Sequence, residues 1–322
     1  MEKLLTIIIP CYNEEDSIEY FFNETEKIDL PIQREYLFID DGSKDHSLKK
    51  MKKLYQSHPD KVRYLSFSRN FGKEAGIYGG LREAQGDYVV LMDVDMQDPP
   101  SLLPEMYRIL TKEDYDCVGT RRINRKGEPP VRSFFAGVFY KLMNRISEIE
   151  IVDGARDFRM MTRQMVDAIL EITEYNRFSK GIFAWVGFNT YYLEYENIER
   201  KHGETAWSFW SLFKYSIEGI ISFTEAPLDI ASFIGFFTFI LALLLAAVFF
   251  IRTLIFDNPT EGWTSLIVVV LALGGLQLLS LGVLGKYLGK MFLEIKNRPV
   301  YIVKETEEQM MEEDEPGQEK NE

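Results

Sequence analysis

The chain alternates short, continuously apolar runs with stretches in which apolar residues recur every three or four positions. The runs Leu4–Pro10, Tyr36–Asp40, Val62–Phe67, Tyr88–Asp93 and Cys117–Thr120 are of strand length. Unbroken apolar character of this kind marks strands covered on both faces. Helical patterns lie between them at about Glu14–Ile28, Lys44–Tyr55, Gly72–Ala84 and Pro100–Leu110. Five strand units joined by helical crossovers predict a largely parallel, Rossmann-like α/β sheet. In such a sheet a ligand sits beyond the carboxyl ends of the strands.

Towards the C-terminus the pattern changes. Ala231–Ile251 and Thr264–Gly285 run for 21 and 22 residues without a charge. At helical rise the first spans about 31 Å, the thickness of a bilayer core. Two transmembrane helices are therefore expected at 231–251 and 264–285, attached to an extramembrane domain of residues 1–225. Lys286, Lys290, Lys296 and Arg298 follow the second run, whereas Asp257 and Glu261 lie between the runs. The positive-inside rule then makes a multi-pass hairpin with the domain and both termini in the cytoplasm.

Composition narrows the function. Hydrophobic residues make up 46% of the 322, which excludes general disorder. The formal charge is −13; residues 304–322 hold nine acids against Lys304 and Lys320 and so supply −7 of it. An acidic body without a basic block argues against nucleic acid as a partner. The tail 304–322 has almost no large apolar side chain beyond Met310 and Met311, and is expected to be disordered. Cys11 and Cys117 fall within predicted strands and form no disulfide framework. His46, His58 and His202 lack ligand spacing, so a catalytic metal needs oxygen donors.

Those donors stand at the predicted strand ends: Pro10-Cys-Tyr-Asn-Glu-Glu15 after the first, Asp40-Asp-Gly-Ser43 after the second, and Asp93-Val-Asp95 after the fourth. Asp41 and Ser43 read equally well as a helix cap. Acids at three strand ends along one edge would repel one another without a cation or hydrogen-bonding ligand. Asp93 and Asp95 project to the same side of an extended chain, about 6.6 Å apart. Two hard carboxylates so placed can share Mg2+ or Mn2+, leaving positions for diphosphate oxygens and water.

Pro10–Glu15, DDGSKD (Asp40–Asp45), MDVDMQDPP (Met92–Pro100) and VGTRR (Val118–Arg122) together resemble the family 2 glycosyltransferases of GT-A fold. SRNFGKEAGI (Ser68–Ile77), DFRMMTR (Asp157–Arg163), RFSKGIFAWVGF (Arg177–Phe188) and the two apolar runs extend the resemblance to the polyprenyl-phosphate branch, akin to dolichol-phosphate mannose synthase and the bacterial GtrB type. It covers about residues 4–300. The resemblance implies that Pro10, Tyr12, Glu14, Phe38 and Asp40 hold the nucleoside. Asp93, Val94, Asp95 and Gln97 would take metal and diphosphate, with Asp93, Asp95 and Gln97 as the metal ligands. Arg121 and Arg200 would line the phosphates, and Asp157 would occupy the catalytic-base position.

The implied reaction is metal-dependent, inverting transfer of one sugar from a nucleotide sugar to undecaprenyl phosphate, at the cytoplasmic leaflet of a bacterial plasma membrane. UDP-glucose and UDP-N-acetylglucosamine are the expected donors. The leaving diphosphate needs cations, for which Arg69, Lys73, Arg121, Arg177, Lys180 and Arg200 are candidates. A lipid phosphate, with a second pKa of about 6, needs no strong base. Asp157, flanked by Arg156 and Arg159, therefore serves equally well to orient those arginines. Residues 130–147 and 207–222 mix aromatic and basic side chains as interfacial helices do. Where the family often has a lysine after Gly-Glu-Thr, this chain has Ala206, which leaves Lys201 or Lys180 as the replacement. A nucleotide-sugar sensor without turnover is the competing reading, and a homo-oligomer is left open.

Overall fold

In a computed structural model of the protein, the structure describes residues 3–122, 144–145, 152–195, 221, 224–255 and 262–309. The chain divides into two compact units, one of residues 1–145, 149–208 and 298–322, the other of residues 146–148 and 209–297. The expected interfacial helices at 130–147 and 207–222 lie almost wholly outside the described residues, as does Arg200.

The first unit is built on one eight-stranded sheet. Its strands are β1 (Leu4–Cys11), β2 (Gln33–Asp40), β3 (Val62–Phe67), β4 (Tyr88–Leu91), β5 (Cys117–Arg122), β6 (Ala155–Thr162), β7 (Thr190–Tyr195) and β8 (Val303–Thr306). They are ordered β7-β5-β6-β4-β1-β2-β3-β8. The five predicted strands stand at or near their expected positions. Central β1 has Leu5, Ile7, Ile8 and Ile9 fully buried, which is why its sequence does not alternate. The crossovers are α1 (Ile18–Glu26), α2 (Ser47–Ser57), α3 (Lys73–Glu83) and α4 (Leu103–Lys112), followed by α5 (Arg163–Glu171) and α6 (Ser179–Trp185). Each of the longer ones turns an apolar stripe to the sheet, as α4 does with Leu103, Met106, Ile109 and Leu110. At Gly80 of α3 a Cβ would lie 2.2 Å from Ile8 Cγ2, so the absent side chain lets helix and strand approach closely.

The sheet is mixed rather than largely parallel. β1/β2, β1/β4, β2/β3 and β5/β7 run parallel, but β6 lies antiparallel between β4 and β5, and β8 antiparallel to β3. β6 reads Ala-Arg-Asp-Phe-Arg-Met-Met-Thr, too polar at its start to stand out as a buried strand. Its direction has a consequence for chemistry: an antiparallel strand brings its N-terminal residues to the edge where its neighbours end.

The acidic tail is ordered where it begins. Residues 303–306 form β8, Lys52 pairs with Glu305 at 2.8 Å, and Arg63 Nε lies 2.6 Å from Glu307, which is itself buried. Tyr301 stacks on Phe67 at 4.6 Å. Composition alone pointed to disorder from 304 onwards; the exposed edge of β3 and two basic partners outweigh it. Residues 310–322 lie outside the described residues.

The second unit holds α7 (Ala226–Ile255) and α8 (Trp263–Ile295), which contact one another. Within them Ala226–Leu245 and Val269–Ile295 are long and apolar enough to cross a membrane. Phe233, Leu271 and Leu278 each expose at least 70% of their surface, the outward apolar character that a lipid-facing helix has.

Candidate active site

The carboxyl ends of β1, β2 and β4 and the start of β6 meet along one edge. At the end of β1, Pro10 is half-buried and Tyr12 is 42% exposed, its ring open to a ligand. Asn13 follows in the left-handed region at φ 55°. Ser47 Oγ accepts from the Glu14 amide at 2.8 Å, and the Glu14 carboxylate accepts from Ser17 Oγ.

The Asp40-Asp41-Gly42-Ser43 turn is a scaffold rather than a helix cap. Asp40 is buried and accepts from Ser66 Oγ at 2.7 Å and from the Ser43 amide at 3.0 Å. Asp41 accepts from the amides of Phe71 and Gly72 at 2.6 and 2.8 Å; burial raises its pKa, against those two hydrogen bonds. Gly42 has φ +66°, and a Cβ there would meet the Arg69 carbonyl carbon at 2.4 Å. Helix α2 starts only at Ser47, so Ser43 caps nothing; its Oγ accepts from the Asn13 amide instead. Phe38 does not reach the site: it is fully buried, edge-on to Phe21. The aromatic residue ahead of Asp40 serves the core.

The densest charge lies between β4 and β6. Leu91 is paired with Arg159, so two residues further along Asp93 comes opposite Asp157. Two carboxylates so placed would repel. Lys73, the first residue of α3, resolves this: its Nζ lies 2.7 Å from Asp93 Oδ1 and 2.7 Å from Asp157 Oδ2. Arg156 stands 4.0 Å from Asp93. Burial pushes the Asp157 carboxyl up, but Lys73 above all, then Lys180 and Arg159, holds it well below the usual carboxylate range. Such a group is ionised at every physiological pH and is a weak base. Arg159 is buried, its guanidinium 3.9 Å over the Phe183 ring and donating to the Arg156 carbonyl. Lys180 Nζ donates to the Ala155 carbonyl.

Val94, buried, separates Asp93 from Asp95, both half-buried. Met96 at φ 58° turns the chain so that the Gln97 amide donates to Asp95 at 3.1 Å. The Gln97 side chain accepts from Arg122 at 3.0 Å. Asp98, which no motif argument singled out, is fully buried: it accepts from Tyr195 at 2.6 Å, lies 3.4 Å from Arg156, and keeps one oxygen unpartnered. Burial raises its carboxyl, against the pull of Arg156. Tyr195 is 97 residues away in sequence, which is why the sequence concealed this contact. Arg121, on β5, donates to the Asp153 carbonyl and lies 3.8 Å from Glu194.

For a divalent cation the donor set fits in chemistry. Asp93 and Asp95 are hard oxygen donors at a strand end, and the cations around Asp93 and Asp157 show an edge that collects positive charge. Among the described residues no three acidic, histidine or cysteine side chains converge on one point. A metal here would therefore complete its shell with ligand oxygens and water, as Mg2+ commonly does.

Residues 6–170 match the profile of the family described as Glycosyl transferase family 2. CsbB of Bacillus subtilis (strain 168), which carries a glycosyltransferase name, is 42% identical over 306 residues, covering 94% of this chain and 92% of its own. Bactoprenol glucosyl transferase of Shigella phage SfII is 40% identical over 304 residues, covering 94% and 98%. Among solved structures, glucosyl-3-phosphoglycerate synthase from Mycobacterium tuberculosis, in complex with Mn2+ and UDP-glucose, is 17% identical with a TM-score of 0.44 over 68% of this chain and 77% of that one, a likeness too slight to bear on ligand or metal. The family match over half the chain and relatives alike over nearly all of it lead to one conclusion: this chain belongs to glycosyl transferase family 2, a glycosyltransferase on a GT-A-like mixed α/β sheet.

Proposed function

We propose that the protein transfers one sugar, glucose in the first instance, from a UDP-sugar to undecaprenyl phosphate, with inversion and with Mg2+ or Mn2+ bound by Asp93 and Asp95. The observation that carries this reading is the likeness to bactoprenol glucosyl transferase at 40% identity over 98% of that protein's length, apolar helices included. When bound, the metal would neutralise charge on the leaving diphosphate. The chain's own residues do the remainder. Tyr12 offers an exposed ring beside the nucleoside, and Asp40 with Asp41 holds the loops that frame it. Lys73 and Arg156 supply fixed positive charge at the sheet edge, where negative charge develops. Asp157 orients Lys73 rather than removing a proton; a phosphate acceptor already mostly dianionic at pH 7 asks for no base. Arg121 and Arg200 complete the phosphate contacts.

The test is a panel of labelled nucleotide sugars incubated with purified protein, undecaprenyl phosphate and Mg2+ or Mn2+. Label from UDP-glucose should enter the organic phase, and excess EDTA should stop it. Full activity in EDTA would remove the metal from the reaction, and transfer only to water-soluble acceptors would remove the lipid.

The two apolar helices and the basic residues after the second support a hairpin whose catalytic unit and termini face the cytoplasm. In Asn258→Cys and Lys304→Cys variants, an impermeant thiol reagent on intact cells should label position 258 and spare position 304. Labelling of both from the same side would refute the hairpin.

A further inference from the structure

One turn of α3 serves two places. Lys73 reaches Asp93 and Asp157, while the adjacent Glu74 lines a cavity of about 280 Å3 that the sugar-transfer chemistry above leaves unused. The cavity lies between the loop ahead of α3 and the loop ahead of α6, and Arg69 and Arg177 line it with Asn70, Phe71 and Tyr175. Arg177 is held in place: its guanidinium carbon lies 4.2 Å over the Tyr78 ring, and its Nη1 donates to the Ile172 carbonyl. Its Nε, however, is buried and has no partner. A buried donor without a partner is unfavourable, so a fixed guanidinium with a spare N–H beside the cavity invites an acceptor oxygen. Arg69, exposed, stacks 4.0 Å over the Phe71 ring and donates to the Asn70 carbonyl. Its loop is fixed on two sides, by Asp41 accepting from Phe71 and Gly72 and by the Ser68 amide donating to the Ile302 carbonyl.

Two guanidinium groups facing one cavity match the oxygens of a phosphate. The one acid in the lining, Glu74, has its carboxylate engaged by the amide and hydroxyl of Ser179, and burial pushes its carboxyl up. We propose that the Arg69–Arg177 cavity is a phosphate-binding subsite distinct from the Asp93–Asp95 carboxylates, and that it receives the phosphate of the lipid acceptor. The second half of this proposal rests on the acceptor reading given above.

The test uses the full-length protein in detergent, wild type beside Arg69→Gln and Arg177→Lys. Inorganic phosphate, at ionic strength held constant with chloride, should raise the wild-type Tm and should lose that effect in both variants. The KM for undecaprenyl phosphate should rise about tenfold in each, the loss of one charge-assisted hydrogen bond, with the donor KM within twofold. A rise in donor KM alone would overturn the acceptor assignment and give the cavity to the donor diphosphate. Unchanged KM values, or an equal phosphate effect on Tm in the variants, would overturn the subsite itself. If Arg177→Lys fails to fold, the exposed Arg69→Gln decides. If the wild type transfers nothing to undecaprenyl phosphate, the proposed function fails, and the phosphate titration still decides the subsite.

Discussion

Asp95→Asn should lower turnover by about a thousandfold while leaving the fold intact. Asp95 is half-buried four residues past the end of β4, and it accepts from the Gln97 amide at 3.1 Å. A carboxamide oxygen accepts that bond equally well, so the turn through Met96 survives the change. What asparagine lacks is the negative charge that would hold a divalent cation against a leaving diphosphate. Losing several kcal/mol of transition-state charge stabilisation amounts to about three decades in rate. The measurement pairs steady-state turnover with thermal unfolding: the rate should collapse and the Tm should stay near that of the wild type. An active Asp95→Asn protein would show that the carboxylate pair is structural. Asp93→Asn is the less clean probe, because Asp93 also balances Lys73 and Arg156.

Truncation after Ile302 should lower the Tm by about 10 °C. The deletion removes β8 from the edge of β3 and, with it, Glu307 from Arg63, whose side chain is only 18% exposed. Leaving one member of a buried pair without its partner costs about 3–5 kcal/mol, and each kcal/mol is about 2–4 °C in a domain of this size. Arg63 keeps the Glu83 carbonyl and a distant Glu35, so the loss falls short of complete unfolding. Glu307→Gln should show part of the same effect, which ties it to the charge rather than to chain length. A truncated protein melting within about 2 °C of the full chain would mean that the edge strand contributes little. A lowered Tm would run against the disorder that composition suggested for the whole of residues 304–322.

The tail shows why composition misled. Nine acids among nineteen residues do predict disorder for an isolated segment. The segment is not isolated: Tyr301 packs on Phe67, and Lys52 and Arg63 wait on the neighbouring elements. The same limit hid β6. The strands on either side of it announce themselves by unbroken apolar runs, but Arg156, Asp157 and Arg159 disguise a strand whose Phe158, Met160 and Met161 are fully buried. Phe38 erred in the opposite sense. The family resemblance implied a nucleoside contact for it, and its side chain lies buried in the core against Phe21.

By itself the sequence determined the five parallel-type strands, the crossover helices, two apolar helices of membrane length, and the acids gathered at strand ends. These are local properties: periodicity and charge spacing act over a few residues, and a strand covered on both faces cannot avoid being apolar. The tertiary structure alone decided how the charges are balanced. Lys73 comes to lie between Asp93 and Asp157 because β6 runs antiparallel to β4, and Asp98 meets Tyr195 across 97 residues. Pairings of this kind depend on strand direction and register, which single residues do not encode. A carboxylate's pKa follows its neighbours in space: Lys73, Lys180 and Arg159 hold the Asp157 carboxyl well below the usual carboxylate range, which no motif discloses.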